Sequence, residues 1–491
     1  MNIAFFTNYI YTPHFETELE LIQLHLDKGD TVYHFVCDLH LLSCDFNPNA
    51  DLLKCISCKT KREKGQELLS GKKHYHEIRI SNFDYKGVFG LPQLKFNSIP
   101  DLRKYKIDNF EIGEATLSSM VSIVRDPAPD LEVYESLMKR IIQSSYYCYY
   151  YFQKQLQHYA IDTFYNFNGR FATNRAALRA AQKIQVHTYM HERGRNFQTY
   201  ELFDNVLPHQ IGPFMERVSE AWKNHPDIEG KNRIAHEFYK NRANGKEQSW
   251  ISFTKDQKKG LPDNWDQNAD NVVIFTSSED EYVSIGKDWE MGFFESQNQL
   301  ILKLMNDERL AEKKIWVRLH PNMRSMSKQY LKKTYATLQG RIEVILPESP
   351  INSYDLIFAT NKVLSFGSTV GIEATYWGKP SILLGPSFYK AFDATYNPES
   401  YEALVTLLLD KNLKPLAQEN TLPYGFHINN FGIPFRIYKP VNLFEGTYKN
   451  VNLDKVFNYN KWHKLINTKG FHWLYNRLNK SNHTSRLKRY V

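Results

Sequence analysis

The sequence contains no long apolar run. It never approaches the roughly 18 to 20 consecutive apolar residues that span a bilayer. The chain opens with the strand-like segment Asn2-Ile3-Ala4-Phe5-Phe6 instead of a basic stretch followed by an apolar core. These absences argue against a membrane-spanning protein and against a signal peptide. We therefore expect the chain to stay in the cytoplasm.

Acidic residues are missing from the end of the chain. Residues 461–491 contain eight Lys or Arg and no Asp or Glu, so this tail carries the whole formal net charge of +8. A basic charge confined to one arm argues against nucleic-acid binding, which normally uses a basic folded face. Basic and aromatic residues together suit an anionic membrane surface, and the aromatic residues here are Trp462, Phe471, Trp473, Tyr475 and Tyr490. A solvated, partly disordered arm is the alternative.

Cysteine is scarce and unevenly distributed. The chain has five cysteines, of which Cys148 stands alone and the other four are Cys37, Cys44, Cys55 and Cys58. Cytosolic proteins rarely keep disulfides, so a Cys-x-x-Cys pair with two nearby thiols points first to a metal. Four thiolates can close a tetrahedral structural zinc site. Reduced thiols without a metal are the alternative.

The sequence does contain a regular alternation of short apolar runs and helical patterns. A chain of 491 residues exceeds what one core usually holds. The alternation predicts an α/β protein with two Rossmann-like, doubly wound domains. We place the N-terminal domain at residues 1–260, the C-terminal domain at 261–422, and a helical segment that packs back on the first domain at 423–491. The polar stretch 240–270 predicts a linker, and residues 40–130 look largely irregular.

Three polar clusters of the second domain each follow a predicted strand. In a parallel sheet the carboxyl ends of the strands share one edge, where ligands bind. We expect the clusters to converge at that edge. Their residues are Ser277, Ser278 and Glu279, then His320 and Pro321, then Gly367, Ser368 and Thr369 with Glu373 in the following helix.

The chemistry of these residues suits a nucleotide phosphate. Gly367 lets the backbone approach closely, and Ser368 and Thr369 offer hydroxyls and helix N-terminal amides. His320 can donate a hydrogen bond or a proton to a phosphate oxygen. Glu373 is expected to accept hydrogen bonds from ribose hydroxyls. Each cluster alone is typical of a turn or a helix cap, so the prediction rests on their joint placement.

The first domain has two polar clusters that also follow predicted strands. Asn168-Gly169-Arg170 comes after the strand Thr163–Phe167, and His191-Glu192-Arg193 comes after the strand Val186–Met190. The guanidinium groups of Arg170 and Arg193 match carboxylate or phosphate groups on an acceptor or donor.

The motifs of the second domain resemble those of a known enzyme group. Residues 362–385, which contain Gly367-Ser368-Thr369, resemble the donor-site segment of GT-B glycosyltransferases of capsule and lipopolysaccharide synthesis. Val317-Arg318-Leu319-His320-Pro321 resembles the His-Pro motif of bacterial sialyl-, polysialyl- and Kdo-transferases. In those families the His and a later Ser/Thr pair contact the phosphate of a CMP-sugar. Their acidic-acidic-Gly motif supplies the general base of inverting members, and Glu192-Arg193-Gly194 is its nearest match here, with Arg replacing the second acid.

The resemblance implies a GT-B protein with an interdomain cleft and a metal-independent glycosyltransferase activity. The donor would be a CMP-sugar, with a UDP-sugar as the alternative, and the acceptor a surface polysaccharide or lipopolysaccharide. Glu192 and His320 would be catalytic and the three second-domain clusters would bind the donor. The acceptor would contact Asn168, Arg170, His191 and Arg193. No cofactor would be required for catalysis, and the enzyme would work in the cytoplasm, peripherally on the inner face of the cell membrane.

Two other kinds of function remain open at this point. A nucleotide-sugar epimerase or a polyol-phosphate transferase can use the same fold, and an epimerase would release free sugar without any acceptor. A noncatalytic scaffold that binds glycan or nucleotide-sugar would hold the donor without releasing nucleotide.

Overall fold

The computed structural model describes residues 1–82, 92–246, 252, 253, 255, 257–338 and 342–490. Within these ranges no helix combines the length and the apolar character needed to cross a membrane. The chain forms two compact units. The first unit consists of Met1–Ile123, Ala128–His209 and Gly432–Val491, and the second consists of Val124–Pro127 and Gln210–Phe431.

The strands in chain order are β1 Asn2–Thr7, β2 Thr31–Val36, β3 Tyr75–Arg79, β4 Thr163–Phe167, β5 His187–Arg193, β6 Thr199–Asp204, β7 Asp270–Phe275, β8 Lys313–Arg318, β9 Glu343–Ile345, β10 Lys362–Ser365, β11 Ser381–Leu383, β12 Ile433–Pro434, β13 Tyr438–Pro440 and β14 Gly446–Tyr448.

The α-helices in chain order are α1 His14–Asp27, α2 Leu52–Glu67, α3 Ile99–Lys104, α4 Ile112–Val124, α5 Glu135–His158, α6 Ala172–Lys183, α7 Ile211–Asn224, α8 Ile228–Ala243, α9 Gln297–Asn306, α10 Lys328–Thr337, α11 Ser353–Ala359, α12 Val370–Tyr376, α13 Tyr401–Leu409, α14 Leu422–Asn430, α15 Tyr459–Ile466 and α16 Lys469–Tyr490.

The sheet of the first unit has the order β12-β6-β5-β4-β1-β2-β3. The strands from β3 to β5 run parallel, whereas β6 pairs antiparallel with β5 and with β12. β1 is a buried apolar run because helices cover both faces of a parallel sheet. Phe15, Leu19 and Ile22 of α1 form one core with Ile3 and Phe5 of β1.

The sheet of the second unit has the order β11-β10-β7-β8-β9, and all its strands are parallel. Leu300, Ile301 and Leu304 recur at helical spacing on α9 and pack in one core with Val272 and Ile274 of β7. In both units the strand order reverses beside the first strand of the unit, as in Rossmann folds. The predicted fold class, two Rossmann-like doubly wound domains, is confirmed.

The stretch predicted as irregular, residues 40–130, contains the regular elements α2, β3, α3 and α4; residues 83–91 lie outside the described part of it. The prediction was wrong for α2, whose polar residues are in part buried and bonded. Lys61 of α2 is 4% exposed and pairs with Glu16 (3.0 Å) and Asp454 (2.7 Å). Arg62 Nη1 donates to the carbonyl of Cys37 (2.8 Å).

Two further differences affect where the predicted sites lie. β5 does not end at Met190 but continues to Arg193, because Glu192 and Arg193 pair with Glu201 and Tyr200 of β6. The second unit begins at Gln210 rather than near residue 261. Helices α7 and α8 therefore belong to it, and Tyr239 of α8 donates to the carbonyl of Thr421 (2.6 Å).

Candidate active site

Three turns meet at the carboxyl edge of the second-unit sheet. β10, β7 and β8 are parallel neighbours, so the segments that follow them leave the sheet side by side. The backbone N–H of His320 donates to Thr276 Oγ1 (2.9 Å), and Ser277 Oγ donates to the carbonyl of Phe366 (2.7 Å). These bonds tie the three turns together at one edge of the sheet.

A cavity of about 260 Å³ opens at this edge. It is lined by predicted donor-site residues from two of the three clusters, namely His320, Pro321, Ser368, Thr369 and Glu373. It is also lined by residues to which the sequence analysis gave no role, among them Arg242, Arg318 and Tyr354. The structure therefore brings the His-Pro turn and the Ser-Thr turn onto one cavity.

His320 is neutral at physiological pH. Burial, and after it the nearby cations Arg318 and Arg242, lower the pKa of His320 from 6.5 to about 4. The backbone N–H of Asn322 donates to His320 Nδ1 (3.2 Å), so the single ring proton lies on Nε2. His320 is thus a hydrogen-bond donor towards a phosphate rather than the proton donor that the sequence also allowed.

Gly367 occupies a backbone position that suits no other residue. Its φ is +89°, in the left-handed region, and a Cβ at this position would clash with the carbonyl oxygen of Pro386. The glycine therefore allows Ser368 and Thr369 to approach the cavity directly after β10. The following helix, α12, is only seven residues long. We therefore assign phosphate binding at this turn to the two hydroxyls and not to a helix dipole.

Glu373 is buried and already bonded within the second unit. The residue is 1% exposed; its Oε1 accepts from Arg242 Nε (2.7 Å), and its Oε2 accepts from the hydroxyl of Tyr354. This arrangement favours a positioning role for Glu373 over the predicted contact with ribose. The residue that it positions is Arg242, which also donates through Nη2 to Thr369 Oγ1 (2.9 Å).

Two arginines give the cavity its positive character. Burial would lower the pKa of Arg242, but the carboxylate of Glu373 outweighs it and raises that pKa above the usual value. Arg318 is 2% exposed and donates to the carbonyls of Leu346 (2.7 Å) and Ser349 (3.1 Å). Burial lowers the pKa of Arg318 to about 10, so it stays protonated at neutral pH. Two fixed cations and two hydroxyls are suited to binding an anion.

The acidic turn after β7 does not line the cavity as predicted. Ser278 is 1% exposed and donates to Asp280 (2.5 Å). The carboxylate of Glu279 accepts from the Gln297 backbone N–H (3.1 Å) and from the Tyr330 hydroxyl (2.6 Å). Ser277, Ser278 and Glu279 therefore organise the loop that supports the site, and Thr276 and Glu281 are the residues of this turn that reach the cavity.

The first unit brings Asn168 and Glu192 together at the carboxyl edge of its own sheet. Asn168 follows β4 in a left-handed conformation, with φ of 55°, and its Nδ2 donates to Glu192 Oε2 (2.6 Å). His14 Nδ1 lies 3.6 Å from Glu192 Oε1. Burial, followed by the charge of Arg193, holds the pKa of His14 well below its usual value. Glu192 keeps 23% of its side chain exposed, so solvent or an acceptor can reach it.

The other predicted acceptor residues are bonded within the first unit, and His191 and Arg170 are buried there. Successive side chains of a strand alternate between faces; His191 is 0% exposed and lies 3.2 Å from Glu18, unlike its neighbour Glu192. Arg170 is 8% exposed and donates to Ser118 Oγ (2.9 Å). Arg193 donates to the carbonyls of Leu443 (2.6 Å) and Thr12 (3.1 Å). His191 and Arg170 therefore support the edge and offer an acceptor little surface, whereas Arg193 is partly exposed but bonded to two backbone carbonyls.

The four clustered cysteines are free thiols. Cys55 Sγ accepts from Asn47 Nδ2 (3.1 Å) and from Arg486 Nη2 (3.3 Å). Burial raises the pKa of the Cys37, Cys44 and Cys58 thiols. Among the residues that the structure describes, no three His, Cys, Asp or Glu side chains are placed to hold a metal ion. Structural zinc stays a prediction from the spacing.

One family model matches the part of the chain that carries this cavity. The family model for capsule polysaccharide biosynthesis proteins matches residues 216–405, which include every cavity residue named above. No curated protein matches the sequence significantly.

Solved structures resemble this chain only with low sequence identity and low TM-scores. The beta Kdo 2,4 transferase KpsC of Thermosulfurimonas dismutans is 14% identical with a TM-score of 0.37, covering 54% of this chain and 79% of that one. The UDP-GlcNAc 2-epimerase of Methanocaldococcus jannaschii is 12% identical with a TM-score of 0.25, covering 86% and 98%. Similarities at these values carry no functional argument. The family match therefore covers the part of the second unit that carries the cavity, and the family it describes is that of capsule polysaccharide biosynthesis proteins.

Proposed function

We propose that the chain transfers a sugar from a CMP-sugar to a surface polysaccharide or lipopolysaccharide acceptor, without a metal ion. One observation carries the proposal: a neutral histidine, two hydroxyls and a positioned arginine line a single cavity at the carboxyl edge of the second-unit sheet. That is where Rossmann-like sheets bind nucleotides. A UDP-sugar is the alternative donor.

In this proposal the second unit stabilises the leaving phosphate. As the bond between the anomeric carbon and the phosphate oxygen breaks, the departing CMP gains negative charge. His320 donates through Nε2, Ser368 and Thr369 donate through their hydroxyls, and Arg242 supplies a fixed positive charge. Donors that are already oriented towards developing charge lower the barrier without reorganising during the reaction. Arg242 thereby takes the electrostatic role that a metal ion would otherwise have.

The first unit supplies the base. The acceptor hydroxyl forms the new bond to the anomeric carbon and gives its proton to the carboxylate of Glu192. Asn168 holds that carboxylate through Oε2 at 2.6 Å, and Oε1 accepts from the Arg193 backbone N–H at 3.0 Å, so the carboxylate is fixed in place for the acceptor. A general base typically accelerates a reaction by about 100- to 10,000-fold. Attack opposite the leaving phosphate would invert the anomeric configuration.

The proposal is tested first by nucleotide binding. CMP, UDP, GDP and dTDP are titrated into the full chain, with thermal stability as the readout, because a ligand that binds the folded state stabilises it. We expect CMP to stabilise the protein most and His320→Ala and Ser368→Ala to remove that effect. Thr406→Val removes an exposed hydroxyl on α13; this variant is the matched control and should bind CMP normally.

Turnover with glycan acceptors is the second step. CMP release that depends on an acceptor supports transfer. Release of free sugar without an acceptor would identify an epimerase-like enzyme, and binding without release would identify a scaffold. Stabilisation by UDP alone would replace the CMP-sugar by a UDP-sugar and leave the rest of the proposal standing.

A further inference from the structure

The last two helices of the first unit carry a cluster of exposed large apolar side chains. Trp462 of α15 is 48% exposed, and Phe471 and Trp473 of α16 are 52% and 65% exposed. We call this cluster the tail surface, and its members are Trp462, Leu465, Phe471, Trp473, Leu474 and Leu478. Exposed large apolar side chains that are concentrated in one segment of a folded unit mark a place of interaction.

Helix α16 is held to the first unit by its polar side chains. The Tyr475 hydroxyl donates to Asp51 Oδ2 (2.5 Å) and accepts from the Leu53 backbone N–H (3.2 Å). Asn479 Oδ1 accepts from the Leu52 backbone N–H (3.0 Å). Arg486 is 2% exposed and donates to the carbonyl of Leu41 (2.8 Å). These bonds fix α16 to the start of α2 and to the segment at Leu41.

The apolar side chains are consequently left on the exposed flank of α16. Phe471, Leu474 and Leu478 are three and four residues apart, the spacing that places them on one side of a helix. An ordinary surface helix buries its apolar stripe and exposes its polar residues. In α16 the apolar stripe lies beside the bonded polar residues rather than beneath the helix, and Phe471, Leu474 and Leu478 stay 52%, 45% and 50% exposed.

Positive charge surrounds the tail surface. Lys461, Lys464, Arg477 and Lys480 are all exposed, and residues 461–491 contain no acidic residue. The guanidinium of Arg477 lies 5.5 Å from the centre of the Trp473 ring. Indole rings flanked by lysine and arginine are suited to the boundary between lipid headgroups and acyl chains.

We propose that the tail surface docks the protein onto a bilayer that contains anionic lipid. The apolar side chains would enter the headgroup boundary, with α16 in the plane of the membrane, while the basic residues contact the lipid phosphates. A protein partner fits less well, because lysine is depleted from the centres of protein interfaces. The proposal goes beyond the transfer reaction and does not depend on it.

Vesicle co-sedimentation of the full chain tests the proposal. We expect binding to vesicles of equal parts phosphatidylcholine and phosphatidylglycerol, little binding to phosphatidylcholine alone, and weaker binding as salt is raised. Arg477→Gln with Lys480→Gln should lower the binding constant about thirtyfold. Phe471→Ser with Trp473→Ser and Leu474→Ser should lower it by at least about a hundredfold.

Matched variants elsewhere on the first unit distinguish docking through the tail surface from nonspecific adsorption to vesicles. Lys72→Gln with Lys73→Gln, and Val133→Ser with Val441→Ser, change exposed residues of the same kinds and should leave binding unchanged. Equal binding to both vesicle types, or equal loss in tail and control variants, would overturn the proposal. So would a dimer in light scattering that the Phe471/Trp473/Leu474 variant dissociates while no vesicle binds, because the tail surface would then pair with a second copy.

Discussion

The guanidinium of Arg242 is bonded to the carboxylate of Glu373 across 131 residues of sequence, with 2.7 Å between Nε and Oε1. Because the same guanidinium also reaches Thr369 Oγ1 at 2.9 Å, the pair fixes a cation beside one of the proposed phosphate-binding hydroxyls. Tyr354 donates to the other oxygen of Glu373 and completes the arrangement. The first prediction about the cavity depends on this pair.

Glu373→Gln should weaken both the fold and the nucleotide site. The change leaves Arg242 without its buried counter-charge, which costs roughly 2–3 kcal/mol of unfolding free energy after allowance for the partial exposure of Arg242. We expect CMP affinity to fall at least tenfold, measured by titration calorimetry. The double variant Glu373→Gln with Arg242→Gln should recover part of the stability and none of the affinity. Wild-type stability and affinity in Glu373→Gln would contradict the positioning role.

His320→Gln should make the protein less sensitive to acid. The pKa of His320 is about 4 in the folded chain and 6.5 for an unperturbed histidine, so the unfolded chain binds the proton first as pH falls. Stability is therefore lost as pH drops from 6.5 towards 4, by about 2 kcal/mol at pH 5. Urea unfolding at pH 7 and pH 5 should show that the wild type loses about this much more than His320→Gln. Equal losses in both proteins would show that His320 titrates normally.

Glu192→Gln should separate chemistry from donor binding. The glutamine keeps the shape of the side chain but cannot take a proton, so transfer should slow by about two to four orders of magnitude. CMP affinity should stay unchanged, because the residue belongs to the other unit. Asp204→Asn, an exposed acidic residue on the neighbouring strand β6, is the control and should retain the wild-type rate. An unaffected rate in Glu192→Gln would point to a retaining mechanism or to another base.

Gly367→Ala should damage the cavity more than a matched glycine change. Gly367 and Gly378 both have left-handed φ values, +89° and +74°, but a Cβ at Gly378 meets nothing within 4 Å. Gly378→Ala should therefore lower the unfolding free energy only by the strain of an alanine in the left-handed region, about 1–2 kcal/mol. Gly367→Ala adds the clash with Pro386, so we expect a larger loss of stability together with loss of CMP binding. Similar effects in the two variants would show that the Pro386 contact is unimportant.

Local patterns were enough to predict the strands of the second sheet and two of the three turns that meet at the cavity. The buried runs of β7, β8 and β10 have the apolar character of central parallel strands, and polar residues follow each of them. Their shared edge then follows from parallel pairing, which places His320 and Ser368 on the same cavity.

Partners that are distant in sequence could not be predicted in this way. Arg242 lies on α8, in a stretch interpreted as a linker, and only the folded pairing with Glu373 gives it a role. The opposite error occurred at His191, where a polar residue after an apolar run suggested a loop. The strand continues there, and His191 contacts the buried Glu18 instead of the solvent.

The first unit is interrupted by nearly the whole of the second, and this order affects synthesis of the protein. Strand β12 supplies the outer edge of the first sheet, and Glu20 accepts hydrogen bonds from the backbone of Arg436, Ile437 and Tyr438. These residues leave the ribosome only after Gln210–Phe431 has emerged. The unit that is translated second can therefore complete its fold first. A truncation at the C-terminus would accordingly weaken the unit encoded at the N-terminus.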